Sequence, residues 1–206
     1  MSQFFAIHPD SPQPRLIKQA VEIIRSGGLV VYPTDSCYAL GCHLGDKDAL
    51  ERIRRIRQVD EKHHFTLMCR DLSELGTYAR VDNRQFRYLK SAMPGPYTVI
   101  LQATREVPKR VMQAKRSTIG LRVPQHPVAL ALLEELGEPL LTSTLLLPGD
   151  EWPPTEGWEI RERLEHEVEL VIDGGHCGTN PTTVIDLLED PILIRQGAGD
   201  ASVFGL

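Results

Sequence analysis

The chain has 206 residues, of which 41% are hydrophobic, and a formal net charge of -5, which is enough apolar content for one large α/β domain or two small ones. No window approaches the roughly 18 uncharged apolar residues of a membrane helix, and the N-terminus lacks the basic and apolar regions of a signal peptide. We therefore expect one cytoplasmic domain over residues 1–206, without a membrane partner.

Charge is divided unevenly along the chain. Residues 1–125 carry 20 Lys and Arg against 12 Asp and Glu, whereas residues 126–206 carry 3 against 16. A basic half on an acidic protein indicates a localised anion-binding surface, although folding could equally interleave the two kinds of charge. The four cysteines show no paired spacing and are expected to be reduced thiols, and no histidine spacing predicts an intrinsic metal site.

The first predicted elements are a helix, a strand and a turn. Helical spacing of apolar residues begins near Ser11 and ends at Gly28. Val30–Tyr32 is predicted to be a short buried strand, and residues 34–36 (Thr-Asp-Ser) place three oxygen-bearing side chains at its exit, where α/β sheets often hold their sites. The turn has no glycine before Gly41, so any bound polyanion needs side-chain partners from elsewhere.

A second helix, with Asp46 as its predicted cap, carries the densest basic patch of the chain. Its charged side chains lie off the apolar stripe and lead toward Lys62, so they either form a solvated surface or serve a ligand. These residues are Arg52, Arg54, Arg55 and Arg57.

The remaining pattern predicts strands that alternate with helices and then strands that neighbour one another. We therefore expect an α/β fold with α+β character, in which helices pack on a single twisted mixed β-sheet. Residues 148–157 are predicted to be a lid or a surface loop. Strands are predicted at 65–69, 93–101 (after a turn), 117–123, 139–147, 168–172, 181–188 and 192–195, and helices after Asp71 and Asp82 and at 127–136 and 160–166.

Arg122 lies among apolar residues of the predicted strand at 117–123. An arginine in such a position must be paired or must bind a ligand. A structural salt bridge is the alternative to a functional role.

Six sequence blocks, in this order and spacing, resemble the YrdC-like family, and within it the branch typified by YciO. The resemblance implies a YrdC/RibB-type fold and threonylcarbamoyl-AMP synthase activity, in which L-threonine, bicarbonate and ATP with Mg²⁺ give threonylcarbamoyl-adenylate and pyrophosphate for tRNA modification. It also implies binding of double-stranded RNA or tRNA through a basic concave face. The blocks are VVYPTDSCYALG from Val30, PGPYTVIL from Pro94, TIGLRVPQHP from Thr118, EPLLTST from Glu138, NPTTVIDL from Asn180 and ILIRQGAG from Ile192.

The resemblance also implies roles for individual residues, although none is assigned as a catalytic acid, base or nucleophile. Structural alternatives exist: Thr34 and Thr118 could cap turns, and Arg195 could form a salt bridge at the sheet edge. The implied sites are Thr34 for the amino acid, Thr118 and Arg195 for the nucleotide and its phosphates, Arg122 for the carboxylate, and Ser143 and Thr144 as substrate-binding hydroxyls.

The chain departs from the family pattern at several positions. Where the family has a Lys-x-Arg pair, this chain has Arg57 and Val59, and where it has Ser-x-Asn, this chain has Thr144 and Leu146. The histidine expected further along is Met68. Arginine also delivers its charge in a different geometry from lysine, so weak or altered synthase activity is expected.

Three functions remain open at this stage. Lys62 and His64 could replace the missing cation and preserve the synthase reaction. Hydrolysis by water is a less favoured possibility that would depend on Asp35, the only carboxylate of the first block. The third is a non-catalytic module for double-stranded RNA or tRNA, whose basic residues are expected to converge on one face. These residues are Arg52, Arg54, Arg55, Arg57, Lys62, Lys109, Arg110, Lys115 and Arg116.

Overall fold

The computed structural model describes residues 1–206 and contains ten strands and six α-helices, followed by a short 3₁₀ helix at Ala201–Phe204. The strands are β1 (Gln3–Ala6), β2 (Val30–Tyr32), β3 (Ala39–His43), β4 (Thr66–Met68), β5 (Tyr97–Gln102), β6 (Thr118–Arg122), β7 (Leu140–Thr144), β8 (Leu170–Asp173), β9 (Thr183–Asp186) and β10 (Ile192–Arg195). The helices are α1 (Pro14–Arg25), α2 (Lys47–Arg57), α3 (Leu72–Tyr78), α4 (Asn83–Ala92), α5 (Pro127–Leu136) and α6 (Gly157–Leu164).

All ten strands belong to one sheet, in the order β1-β8-β2-β3-β7-β4-β6-β5-β9-β10. Four of the neighbouring pairs are parallel and five are antiparallel, so the expectation of a single mixed sheet with helices packed on it is confirmed. The closing strand pair predicted near the C-terminus is the antiparallel pair β9 and β10.

The two faces of the sheet are covered unequally. Paired residues share a face because side chains alternate along a strand, and one face carries Tyr32 in β2, Thr142 in β7, Thr66 in β4 and Ile100 in β5. Helices α1 and α5 bury the β2 end of this face in a cluster of 17 residues, and the other four helices bury the opposite face in a cluster of 38. The part of the first face formed by β7, β4, β6, β5 and β9 has no helix over it.

The helix boundaries follow local sequence signals closely. Asp46, Asp71 and Asp82 each accept a backbone N–H bond at the start of a helix, as predicted, and α5 spans the predicted residues. Helix α1 begins at Pro14, three residues after the expected start, because proline is well accommodated at the first helical position. None of the six helices has the length and apolar content needed to cross a bilayer.

Two strands, β1 and β3, are absent from the sequence prediction. Strand β3 pairs antiparallel with β2, so the polar turn at residues 34–36 is the loop of a β2–β3 hairpin and not a link to a helix. Gly41 weakens the strand signal in β3, but a Cβ atom there would lie 2.7 Å from both Tyr32 and Leu140. The close approach of these side chains requires the glycine.

We predict a large difference between two isoleucines of opposite exposure. Ile53 of α2 is fully buried, so Ile53→Ala should lower the free energy of unfolding by about 2–5 kcal/mol. Ile192 on the edge strand is 57% exposed, and Ile192→Ala should cost less than about 1 kcal/mol. Urea unfolding of both variants measures the difference, and equal losses would contradict the assignment of the core.

Candidate functional site

The uncovered part of the sheet forms the floor of a cavity of about 980 Å³, which is large enough for a nucleotide-sized ligand. Thr66, Thr118 and Thr144 line this floor from β4, β6 and β7, and their hydroxyls have no hydrogen-bond partner in the protein. Threonine suits this position because its branched side chain favours strands while its hydroxyl can bind a ligand. The floor is therefore a polar sheet surface inside a concave site.

The Thr34 hydroxyl is committed within its own turn. It donates to the carbonyl of Cys37 at 2.6 Å and accepts from the backbone N–H groups of Ser36 and Cys37 at 3.1 and 3.2 Å. One donor and two acceptor positions are the full capacity of a hydroxyl. The turn-capping alternative for Thr34 is thus present, although the side chain also lines the cavity. Thr118 is different, since its hydroxyl remains uncommitted.

Arg122 is buried, 5% exposed, and forms an ion pair with Asp35 in the hairpin loop. Asp35 also accepts from the backbone N–H of Gln125 at 2.9 Å, and it does not line the cavity, so the structure gives no support to hydrolysis by this carboxylate. Arg122 makes one long contact to the Ser36 hydroxyl at 3.4 Å, and its buried Nε has no partner. The salt-bridge alternative for Arg122 is therefore present in the structure.

Arg57 reaches across from the end of α2 to strand β7. Its NH1 donates to the Ser143 hydroxyl at 2.7 Å, and its Nε donates to the Leu146 carbonyl at 3.3 Å. Its side chain has no carboxylate partner. Burial lowers the pKa of the Arg57 guanidinium below its ordinary value, and the positive charge of Arg195 lowers this pKa further.

Arg195 lies on the opposite wall, on the edge strand β10. Its Nε and NH2 donate to the Thr182 carbonyl at 3.2 and 2.9 Å, and it also lacks a carboxylate partner. Burial lowers its pKa as well. The salt bridge that the sequence left open for Arg195 does not form. Arg57 is partly buried and Arg195 lies on an exposed edge strand, and two guanidinium groups that repel each other across a cavity attract an anion.

A third basic side chain, His63, joins the Arg57 network. Its Nε2 lies 3.3 Å from Arg57 NH1 and 3.4 Å from the Ser143 hydroxyl, and its ring meets Phe65 edge-on at 5.1 Å. Burial, followed by the charge of Arg57, lowers the pKa of His63 to about 4, so the ring is neutral and can accept from Arg57. The sequence analysis singled out Lys62 and His64, which also line the cavity, and missed His63.

Val59 and Leu146, the apolar residues at positions where the family has polar ones, lie on the same wall as Arg57. Val59, Leu146 and Pro153 line the cavity there and offer no side-chain donor to a ligand. Met68 does not line the cavity, because it is fully buried and its sulfur accepts from the Tyr32 hydroxyl at 3.6 Å. The sequence analysis also did not identify several hydroxyl groups on the floor, although threonine at alternate positions of a strand could have indicated them. These are Thr66, Thr98 and Thr142.

Arg52 departs from the expectation that the nine basic residues converge on one face. Arg52 lines a separate cleft with Gln3 and Gln19, because α2 directs it toward the acidic start of β8. Acidic partners also neutralise most of these arginines, whereas Lys109 and Lys115 have none and are exposed. The pairs are Arg52 with Glu169, Arg54 with Glu51, Arg55 with Glu167 and Arg116 with Asp186, while Arg110 donates to the Gly45 carbonyl.

Comparisons with known proteins place the chain in context. The model of the Sua5, YciO and YrdC proteins, described as telomere recombination, matches residues 22–197. The crystal structure of Escherichia coli YciO is 60% identical, with a TM-score of 0.96 over 99% of this chain and 100% of that one. Threonylcarbamoyl-AMP synthase of Pyrococcus abyssi is 31% identical over 88% of this chain and 54% of the synthase. P. abyssi Sua5 complexed with L-threonine has a TM-score of 0.87 at 28% identity, over 95% and 58% of the chains.

We predict that His63 remains neutral to about pH 4 in the folded protein. The unfolded side chain titrates near 6.5, so the unfolded state binds more protons between these values, and this site loses stability as the pH falls through that window. His63→Gln should reduce the drop in unfolding free energy between pH 7 and about 4.5, whereas His166→Gln, at an exposed histidine, should not. An NMR titration that places the His63 pKa near 6.5 would contradict the prediction.

Proposed function

This chain belongs to the Sua5/YciO/YrdC family, and from that premise we propose that it is a divergent threonylcarbamoyl-AMP synthase with weak or altered activity. In the proposed reaction, L-threonine and bicarbonate form a carbamate, which attacks the α-phosphate of Mg²⁺-bound ATP and expels pyrophosphate. The threonylcarbamoyl-adenylate would then serve the modification of tRNA by other proteins.

The observation that carries this proposal is the pair of guanidinium groups of Arg57 and Arg195, which line the cavity, have no carboxylate partner and repel each other. Negative charge on the α-phosphate and the departing pyrophosphate is stabilised by such preorganised donors. The open hydroxyls of Thr66, Thr118 and Thr144 offer hydrogen bonds to the sugar or the phosphates.

The amino acid is proposed to bind near Arg122, as the family resemblance implies. Asp35 holds NH2 of Arg122, which leaves NH1, with its single long contact to Ser36, as the group for the threonine carboxylate. Asp35 thereby fixes the orientation of the guanidinium. Ser143 is proposed to act indirectly, because its hydroxyl accepts from Arg57 and holds that cation in place. Lys62 and His64 line the cavity and are proposed to supplement the phosphate contacts.

The same cavity explains why the activity is proposed to be weak. Val59 and Leu146 present apolar surface beside Arg57, where a polar wall would stabilise the leaving pyrophosphate. Loss of two charge-stabilising donors costs on the order of 10² to 10⁴ in rate, since such donors are worth up to about 3 kcal/mol each and are not additive. Slow turnover is therefore the expected phenotype of this chain.

The test is release of pyrophosphate from Mg²⁺–ATP in the presence of L-threonine and bicarbonate. Wild-type protein should release pyrophosphate slowly, and Arg195→Ala should lower the rate at least about 100-fold because one phosphate-binding cation is lost. Arg87→Ala, at an exposed arginine of α4 without an ion pair, is the matched control and should leave the rate unchanged. Restoring polar groups with Val59→Arg and Leu146→Asn should raise the rate. Release no faster than with heat-killed protein, for every amino acid tested, rejects the synthase proposal.

A second candidate is binding of double-stranded RNA or tRNA. Lys109 and Lys115 favour it, since they are exposed, have no acidic partner and lie in the β5–β6 loop, whose Gln113 and Arg116 line the cavity. Such binding would depend on phosphates and would tolerate changes of sequence. The ion pairs of the other arginines make this surface smaller than the sequence implied.

For this candidate we predict that reversing both lysines, Lys109→Glu with Lys115→Glu, weakens binding of duplex RNA at least about tenfold and lowers the salt dependence by about one counterion per lysine. The matched control is Lys18→Glu with Lys90→Glu, which changes the net charge equally at two exposed helical lysines. Filter binding at several salt concentrations measures both quantities. Equal losses in the two double variants would show only an effect of net charge.

A further inference from the structure

The two arginines that carry the proposed function have little donor capacity left for a ligand. Arg57 uses Nε on the Leu146 carbonyl and NH1 on Ser143 and His63, so only NH2 remains uncommitted. Arg195 uses Nε and NH2 on Thr182, so only NH1 remains. One terminal nitrogen from each wall can bind the oxygens of one phosphate group between them.

The other arginines of the cavity add little attraction for a phosphate group. Asp186 binds Arg116 at 2.9 Å, and Asp35 binds Arg122, so each of these cations is already balanced by a carboxylate of the same chain. The remaining cation, Lys62, is exposed, and unlike Arg195 its charged group has no hydrogen-bond partner that fixes its position.

The wall beyond Arg57 is unsuitable for the rest of a triphosphate. Val59, Leu146 and Pro153 supply apolar surface there, and Asp60 adds a negative charge. A β- or γ-phosphate placed against these residues would lose water without gaining donors, which is unfavourable for a charged group. A ribose and base, by contrast, match a floor that mixes open threonine hydroxyls with Ile100 and the edge-strand residue Ile194, both of which line the cavity.

From these contacts we propose that the cavity selects ligands with a single phosphate group on a hydroxylated, partly apolar body. The ligand class is a nucleoside monophosphate or an acyl-adenylate, bound in preference to a nucleoside triphosphate. This inference rests on the proposed function, and it means that the site fits the adenylate product of the reaction better than the ATP substrate. The adenylate is held between Arg57 and Arg195, whereas the triphosphate substrate gains no further contact from its outer phosphates.

The test is calorimetry of the full chain with AMP, with Mg²⁺–ATP, with adenosine and with inorganic pyrophosphate. AMP should bind at least as tightly as Mg²⁺–ATP and at least about tenfold more tightly than adenosine or pyrophosphate, because the phosphate and the nucleoside both contribute. Arg195→Ala should lower the affinity for AMP to that for adenosine, whereas Arg87→Ala should preserve the difference in affinity between AMP and adenosine. Val59→Arg, which adds a donor to the apolar wall, should shift the preference toward ATP.

Three outcomes overturn the inference. Binding of Mg²⁺–ATP more than about tenfold tighter than AMP means that the outer phosphates are recognised, and it leaves the proposed synthase function standing. Pyrophosphate binding as tightly as AMP means a general anion site. Absence of binding for every nucleotide at millimolar concentration removes both this inference and the proposed function. Thermal unfolding of Arg195→Ala and Arg87→Ala confirms that both variants are folded when their affinities are compared.

Discussion

The site depends on the unequal cover of one sheet face. Helices α1 and α5 bury the β2 end of that face, and no helix covers the part of it that β7, β4, β6, β5 and β9 contribute to the cavity. Because side chains alternate along strands, the same register that sends Tyr32 into the core brings threonines of three strands into the open part. A sheet with helices over all of this face would have buried these positions. The concave site thus results from the position at which the helices pack on this face of the sheet.

Ion pairing then decides which cations are available to a ligand. Arg122 and Arg116 line the cavity, but Asp35 and Asp186 balance their charges, so they stabilise the site and contribute little new attraction for a phosphate group. Arg57 and Arg195 are held by carbonyl and hydroxyl groups, which orient a guanidinium without neutralising it. Burial of an unbalanced cation is costly, and an anionic ligand relieves that cost. The sequence alone could not distinguish the arginines that a carboxylate balances from the arginines that no carboxylate balances.

Local signals made much of the fold predictable, including the three aspartate caps, helix α5 and the mixed sheet. Strand β3 was not predictable in this way, since its glycine is required by side chains more than 90 residues apart, Tyr32 and Leu140. The sequence blocks identified Ser143 and Arg195 as candidate site residues, and the family's Lys-x-Arg pattern identified Arg57. The partners of these residues, and the role of His63, depend on contacts between distant segments that periodicity and composition do not encode.

The central claim is that Arg57 and Arg195 hold one phosphate group between them. The most direct measurement is a crystal structure of the chain with bound AMP. We expect the phosphate to lie between the two guanidinium groups, with its oxygens within hydrogen-bond distance of Arg57 NH2 and Arg195 NH1, and the ribose to lie over the threonine hydroxyls of the floor. A phosphate bound instead in the Arg52 cleft, or beside Lys109 and Lys115 outside the cavity, would contradict it.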